Sequence, residues 1–388
     1  MVGKRLLCAL AAVVTAAVSE TASAEPYDRW RNGPPDNPTW FPIAVWLQLP
    51  ANASRFKAAG INCYVGLWQG PTEEQLAGLR KARMPVICEQ NETGLRHRND
   101  PIIIGWMHGD EPDNAQPLDK GEGYGPPVPP QEIMRLYNRM RGFDPTRPVM
   151  LNLGQGVAWD AWYGRGVRTN HPEDYPEYAE GCDIASFDIY PAVHDHPDVA
   201  GKLEFGPRGV ARLAEWAGPG RIVWNCIEAS RISNAKTKPT AAQIRSEVWM
   251  AIIHGSRGLI YFVHQFEPEF VEASLLQDQE LLAGVTEINR QVHELAPVIN
   301  SGTLNRAVQV VSSSPAVTIA LMAKRWRGVI YLFSASLGGA PTTGAFTLKW
   351  AKDGAEIEVL GESRTLKTAG GRFQDDFGPY GVHIYKIR

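Results

Sequence analysis

Eight short apolar runs recur between residues 41 and 266: "FPIAVWLQ", "INCYVGLWQ", "MPVICEQ", "IIIGWMHG", "RPVMLNLGQ", "CDIASFDIYP", "RIVWNCIEAS" and "GLIYFVHQF". They are apolar throughout rather than alternating, the pattern of strands buried on both faces of a parallel sheet. Helical patterns separate many of them. "ASRFKAAG", "QEIMRLYNRM" and "RGVARLAEWA" predict three helices, and two more open on a T-x-x-Q capping signature, Thr72 to Gln75 and Thr240 to Gln243. After the last run, Leu281, Val285, Ile288, Val292 and Leu295 step by four and three, one face of a long helix. Eight strand–helix units predict a (β/α)8 TIM barrel. A doubly wound sheet is disfavoured, because no Gly-x-Gly-x-x-Gly follows the first run.

From about Ser301 the texture changes. "RAVQVVSSS", "AVTIALMAKRW", "GVIYLFSAS", "AFTLKW", "AEIEVL" and "GVHIYKI" are short strand patterns without helical periods between them. They predict a small antiparallel β-sandwich over 301–388, packed on the side of a barrel spanning 25–300. Residues 1–24 have the form of a secretory signal peptide: Lys4 and Arg5, the apolar run "LLCALAAVVTAAV", and Ala22-Ser23-Ala24 before Glu25. The expected product is secreted or periplasmic, with no membrane segment once the signal is cleaved.

The chain carries 39 Lys and Arg against 42 Asp and Glu, and loss of Lys4, Arg5 and Glu20 leaves a net charge of −4. The longest basic stretch is "RHR", which offers no nucleic-acid footprint. Cys63, Cys88, Cys182 and Cys226 each lie in or beside an apolar run, which favours buried free thiols over disulfides. Nothing in their spacing suggests a zinc site or another cofactor.

In such barrels chemistry sits at the C-terminal strand ends. Those ends carry Trp46 and Gln48, Trp68 and Gln69, Gln90 and Asn91, then His108, Asp110 and Glu111. Asn152 and Gln155, Asp188 and Tyr190, Glu228, and His264 and Gln265 complete the set. It is aromatic, amide-rich and acidic, with neither Lys nor Arg. That composition suits a neutral polyol, with hydroxyls for the amides and flat faces for the indoles, better than a phosphorylated substrate. Glu111 after the fourth run and Glu228 after the seventh are placed to flank one glycosidic bond. Trp106 and Trp224 lie inside their runs and are expected in the core.

These segments resemble the retaining glycoside hydrolases of clan A, whose catalytic glutamates end strands four and seven of a (β/α)8 barrel. "GWMHGDEP" is similar to the acid/base segment, "VWNCIEAS" to the nucleophile segment, and "DIASFDIYP" to the strand-six segment whose Tyr hydrogen-bonds the nucleophile. The resemblance covers roughly residues 40–300. It implies Glu111 as acid/base, Glu228 as nucleophile and Tyr190 as its partner, acting on a β-linked poly- or oligosaccharide. Strand-end position, rather than the resemblance, places Asp110, Trp46, Trp68, Asn152, His264 and Gln265 toward the substrate, and a cleft lined by Trp46 and Trp68 would suit a β-glucan or related glycan. Two positions depart from the pattern. Asp110 stands where the clan has Asn, and "YFVHQF" holds no Trp under the reacting sugar.

Two other functions fit the same ends. His108, Asp110, Glu111, Asp188, Glu228 and His264 form a ligand set for a divalent-metal hydrolase or isomerase. A glycan-binding barrel without catalysis is the other.

Overall fold

The computed structural model describes residues 26–388 except 119, 120 and 122, so the expected signal peptide lies outside the described residues. Each apolar run becomes a strand. They are β1 (Ile43–Trp46), β2 (Cys63–Val65), β3 (Val86–Glu89), β4 (Ile103–Met107), β5 (Val149–Leu153) and β6 (Ile184–Phe187). The seventh run is split at Trp224 into β7 (Ile222–Val223) and β8 (Asn225–Glu228), and the eighth is β9 (Leu259–Phe262). All pairings are parallel, in the order β7-β6-β5-β4-β3-β2-β1-β9-β8. The two ends of that order are halves of one run, so the seventh stave pairs with both neighbours and closes the ring. The chain folds as a TIM barrel followed by a β-sandwich.

The helices are α1 (Ala53–Ala58), α2 (Glu73–Ala82), α3 (Glu92–Arg96), α4 (Pro130–Phe143), α5 (Tyr175–Glu180), α6 (Phe205–Ala217), α7 (Ala241–Ile253) and α8 (Gln279–Ile299). Both T-x-x-Q signatures form reciprocal capping boxes, at the starts of α2 and α7. In α8 the five periodic residues are all buried. The sequence did not reveal α3 and α5, which are too short to show a period.

Inside the ring, Ala44, Cys63, Ile87, Ile104, Met150, Ile184, Cys226 and Ile260 pack together. Tyr27 and Trp30, from the segment before β1, join this cluster. The Trp224 indole donates to the Tyr27 hydroxyl at 2.9 Å, and that hydroxyl donates to the Arg257 carbonyl at 3.1 Å. Gly258 makes room for the indole, since a Cβ there would lie 2.5 Å from it. All four described cysteines are free and buried.

The C-terminal strands form two antiparallel sheets. The larger is β11 (Ile319–Trp326), β12 (Val329–Ser336), β17 (Val382–Ile387), β14 (Glu356–Val359) and β15 (Arg364–Lys367). The smaller is β10 (Val308–Ser312), β13 (Thr342–Leu348) and β16 (Arg372–Phe377). β15 and β16 are additions to the six expected strands. "RTLK" and "RFQDDF" are mostly polar, and only alternate positions such as Phe373 and Phe377 are buried. The larger sheet packs on α7 and α8. Trp249 stacks on Phe333 at 5.5 Å, and Arg245 and Ser246 hydrogen-bond the Val382 and Tyr380 carbonyls. It therefore covers a flank of the barrel. No helix among the described residues is long and apolar enough to cross a membrane.

Tyr27→Phe is expected to cost about 1–3 kcal/mol in urea unfolding, because it strands the buried Trp224 N–H and Arg257 carbonyl. An unchanged unfolding midpoint would show that this segment contributes packing alone.

Candidate active site

After Met107 the chain leaves the barrel and crosses the top of β5. The Glu111 N–H donates to the Asn152 carbonyl at 3.1 Å, and Glu111 takes a left-handed φ of 42°. Buried Asp113 holds this crossing. It accepts from the Gly154 N–H at 2.8 Å and the Tyr175 hydroxyl at 2.9 Å. A positive φ in a non-glycine residue is costly and persists only where surrounding bonds impose it. Here it delivers the carboxyls of Asp110 and Glu111 to the mouth.

Asp188, at the end of β6, meets them there. The Asn152 side-chain amide donates to Asp110 Oδ1 at 2.9 Å and to Asp188 Oδ1 at 3.3 Å. One nitrogen between two carboxylate oxygens bounds their separation at the sum of those distances. The amide's orientation is set from behind, where its oxygen accepts from Ser186 Oγ at 2.7 Å and from Cys226 Sγ.

Protein packed around the three acids, and their mutual repulsion, disfavour ionisation. Asp110 opens onto the cleft, yet crowding by protein and the neighbouring Asp188 push it up to about 7. Glu111 is raised well above the ordinary carboxylate range by burial, then Asp188 and Asp110, against the Asn114 amide that donates to its Oε2 at 2.8 Å. Asp188 is raised by burial, against the hydrogen bond that it accepts from the Asn152 amide. The cluster thus binds protons more tightly than separate carboxyls would, and Glu111 is raised more strongly than Asp188.

Glu228 is not brought to this cluster by any hydrogen bond. It is fully buried, and its Oε1 accepts from the Ala192 N–H at 2.7 Å. Its other neighbour is the buried Glu247 of α7. Oε2 of each glutamate lacks a fixed donor, so only a proton held between them satisfies both. Burial raises Glu228 to about 7 and Glu247 well above the ordinary range. Tyr190 differs from its expected role as well. The Ala192 backbone, not the Tyr190 hydroxyl, holds Glu228, and the Tyr190 ring packs on Phe262 at 5.3 Å.

The remaining expected residues divide. Trp46 and Trp68 line a cleft of about 590 Å³ that Asp110 also borders, with His264 in its wall. Gln48 Nε2 lies 3.2 Å from His264 Nε2 and donates to the Glu272 carbonyl at 2.9 Å, which fixes that wall. Gln265 instead serves its own loop, paired with Val271 through the backbone. Trp106 and Trp224 are core, as expected. The metal set does not assemble. His108 turns to the Gly181 carbonyl at 2.9 Å and is lowered by burial to about 4, and His264 sits among phenylalanines. Among the described residues, no three His, Cys, Asp or Glu side chains are grouped as metal ligands. The sequence offered Asp188 as a strand-end residue and as a metal ligand, not as a partner of Asp110 and Glu111. It passed over Glu247, Phe266 and Phe270.

No protein-family profile matches the chain, and no curated protein matches it either. Solved structures share its fold. A catalytic mutant of Gan42B, a GH42 β-galactosidase from G. stearothermophilus, matches with a TM-score of 0.56 at 8% identity over 90% of this chain and 98% of that one. An α-amylase from Geobacillus thermoleovorans complexed with acarbose matches at 0.51, with 10% identity over 90% and 98%. A putative α-galactosidase/melibiase from Bacteroides fragilis matches at 0.50, with 11% identity over 90% and 79%. At such identities the likeness is one of fold.

The Glu228–Glu247 pair makes a stability prediction. Both folded-state values lie above the unfolded ones, so the native state binds extra protons between the ordinary carboxylate range and about pH 7. Their contribution is full at low pH and lost as pH rises through that window. Glu247→Gln, which supplies a permanent N–H donor, is expected to flatten this loss in urea unfolding between pH 5 and pH 8. Glu247→Ala is expected to destabilise by about 3 kcal/mol by leaving a buried carboxylate unpaired. Parallel pH profiles for wild type and Glu247→Gln would show that the two groups share no proton.

Proposed function

We propose that the chain is an exported glycoside hydrolase that cleaves a β-linked poly- or oligosaccharide with retention of configuration. The observation that carries this reading is the Asn152 clamp, which holds Asp110 and Asp188 beside the proton-loving Glu111. Retention of configuration rests on the clan A resemblance, whose members work through two carboxyl groups in a double displacement. The fold shared with three structures described as glycosidases supports the reading, and the clan A resemblance supports the β linkage.

In this reading Glu111 donates its proton to the glycosidic oxygen as the bond to the anomeric carbon breaks. Ionised Asp188 attacks that carbon and forms a glycosyl ester. Glu111, now a carboxylate, takes a proton from water, and the resulting hydroxide equivalent displaces Asp188. Asp110 raises the basicity of Glu111 through its charge, and Asn152 orients both aspartates. Carbohydrate is the partner, and the chemistry asks for no cofactor.

A second reading keeps Glu228 as nucleophile. Its place at the end of the seventh stave and its unpartnered Oε2 favour that assignment. It requires substrate to reach Oε2, which is buried against Glu247.

A panel of β-linked glycans, with product anomers followed by NMR, tests the activity. Release of sugar with inverted configuration, or none at all, would overturn it. Asp188→Asn is expected to lower kcat by at least roughly 10⁴-fold, with Glu228→Gln far less affected. The reverse ranking would install Glu228 as nucleophile. Glu111→Gln is expected to spare activated aryl glycosides, whose leaving groups need no proton, far more than natural substrates.

The pH profile of kcat/KM is expected to be a bell. Its acid limb reports protonation of the nucleophile, and its alkaline limb the loss of the Glu111 proton. Because burial and Asp188 push Glu111 up, the alkaline limb is expected well above the ordinary carboxylate range. A fall centred in the ordinary carboxylate range would remove Glu111 as the acid.

A further inference from the structure

The cleft has two unlike walls. One carries Asp110. The other is built by Trp46, Trp68, Phe262, Phe266, Phe270 and Leu49. Three of these aromatic side chains stand substantially open to solvent: Trp68 at 66%, Phe266 at 47% and Phe270 at 63%. Phe266 packs against Phe262 and Phe270 at centroid distances of 6.3 and 5.8 Å, and His264 packs beside both Phe266 and Phe270, 6.2 Å from each. A contiguous exposed apolar patch is disfavoured in water unless something covers it.

The loop that presents the two phenylalanines is firmly built. Gln265 and Val271 exchange both backbone hydrogen bonds, at 3.0 and 2.8 Å, and the Phe266 N–H donates to the Ile232 carbonyl at 2.7 Å. The rings are therefore held over the cleft. Sugar rings offer small apolar faces fringed by hydroxyls, and each hydroxyl laid on a phenylalanine loses water without gaining a hydrogen bond. Phe262, Phe266 and Phe270 have no polar tip to offer in return. At about 590 Å³ and bordered by Asp110, the cleft continues from the carboxyl cluster rather than forming a separate site.

We propose that this wall is an aglycone site: the substrate is an amphiphilic glycoside whose sugar faces Asp110, Glu111 and Asp188 while an aryl or alkyl aglycone lies against Phe266, Phe270 and Trp68. The proposal rests on the glycosidase reading for the sugar half and on the aromatic wall for the other.

Two measurements test the halves separately. The first uses the neutral apolar fluorophore N-phenyl-1-naphthylamine, which needs no turnover. Saturable binding to wild type is expected, weakened at least tenfold in Phe266→Ala/Phe270→Ala, and competed by octyl glycosides but not by methyl glycosides. Both substituted side chains are largely exposed, and near-ultraviolet circular dichroism checks that the variant keeps its packing. No saturable binding, or equal binding by the variant, would overturn the proposal.

The second compares methyl, butyl, hexyl and octyl glycosides of glucose, galactose and xylose, whose leaving alcohols differ little in acidity. For any sugar that is cleaved, kcat/KM is expected to rise with chain length, by up to roughly fourfold per buried methylene. The octyl-to-methyl ratio is expected to collapse in the double variant. A ratio near one in wild type, or one unmoved by the substitutions, would identify the wall as a sugar platform and overturn the aglycone site. If no glycoside is cleaved while the fluorophore behaves as expected, the apolar site stands and the glycosidase reading is what fails.

Discussion

The mouth of this barrel depends on how carboxylates are kept together without a cation. Asp110, Glu111 and Asp188 crowd one site, where each charge raises the cost of the next. A lysine or arginine among them would relieve the repulsion, but it would also drag all three into the ionised state. Asn152 solves the problem differently. Its amide donates to two of the acids at once while adding no net charge, so the proton stays in the cluster. Ser186 and Cys226 make that possible by occupying the amide oxygen, which turns the NH2 toward the acids. Nearby Arg165 is already committed to Asp174 and to the His171 and Asp113 carbonyls.

A second carboxyl pair beneath the rim meets the same constraint by another route. Glu228 and Glu247 have no amide between them and no access to water, so a shared proton takes the amide's place. Because Glu228 also holds the Ala192 N–H, that proton ties the loop after β6 to α7. The loop begins just past Asp188 and carries Tyr190, whose ring packs on Phe262 of the cleft wall. Order at the rim therefore reaches down to a protonated acid in the helical layer.

These arrangements explain what the sequence could and could not reveal. The staves were legible because both faces of a parallel strand are buried, so each run is apolar from end to end. The capping boxes of α2 and α7 and the buried stripe of α8 were legible because local chemistry dictates them. The direction of a side chain at the last residue of a strand was not. Position placed Glu228 and Asp188 equally at the mouth, yet the pleat ends there, and tertiary partners decide that one turns inward to Glu247 and the other takes the Asn152 amide. Glu247 itself reads as an ordinary charged helix residue. "QFEPEF" reads as a charged turn, because its two phenylalanines share a face only once Gln265 pairs with Val271.

The two walls of the cleft act on one another. Water in the cleft solvates Asp110 and weakens the repulsion that keeps the proton on Glu111. An apolar group lying on Phe266 and Phe270 displaces that water, and the electrostatic terms among the acids strengthen as the local dielectric falls. On the proposed glycosidase reading, occupancy of the aromatic wall favours the protonated form of Glu111, the form that a general acid needs. The phenylalanine wall and the proposed acid would then be coupled, since an apolar group bound on one strengthens the hold of the other on its proton.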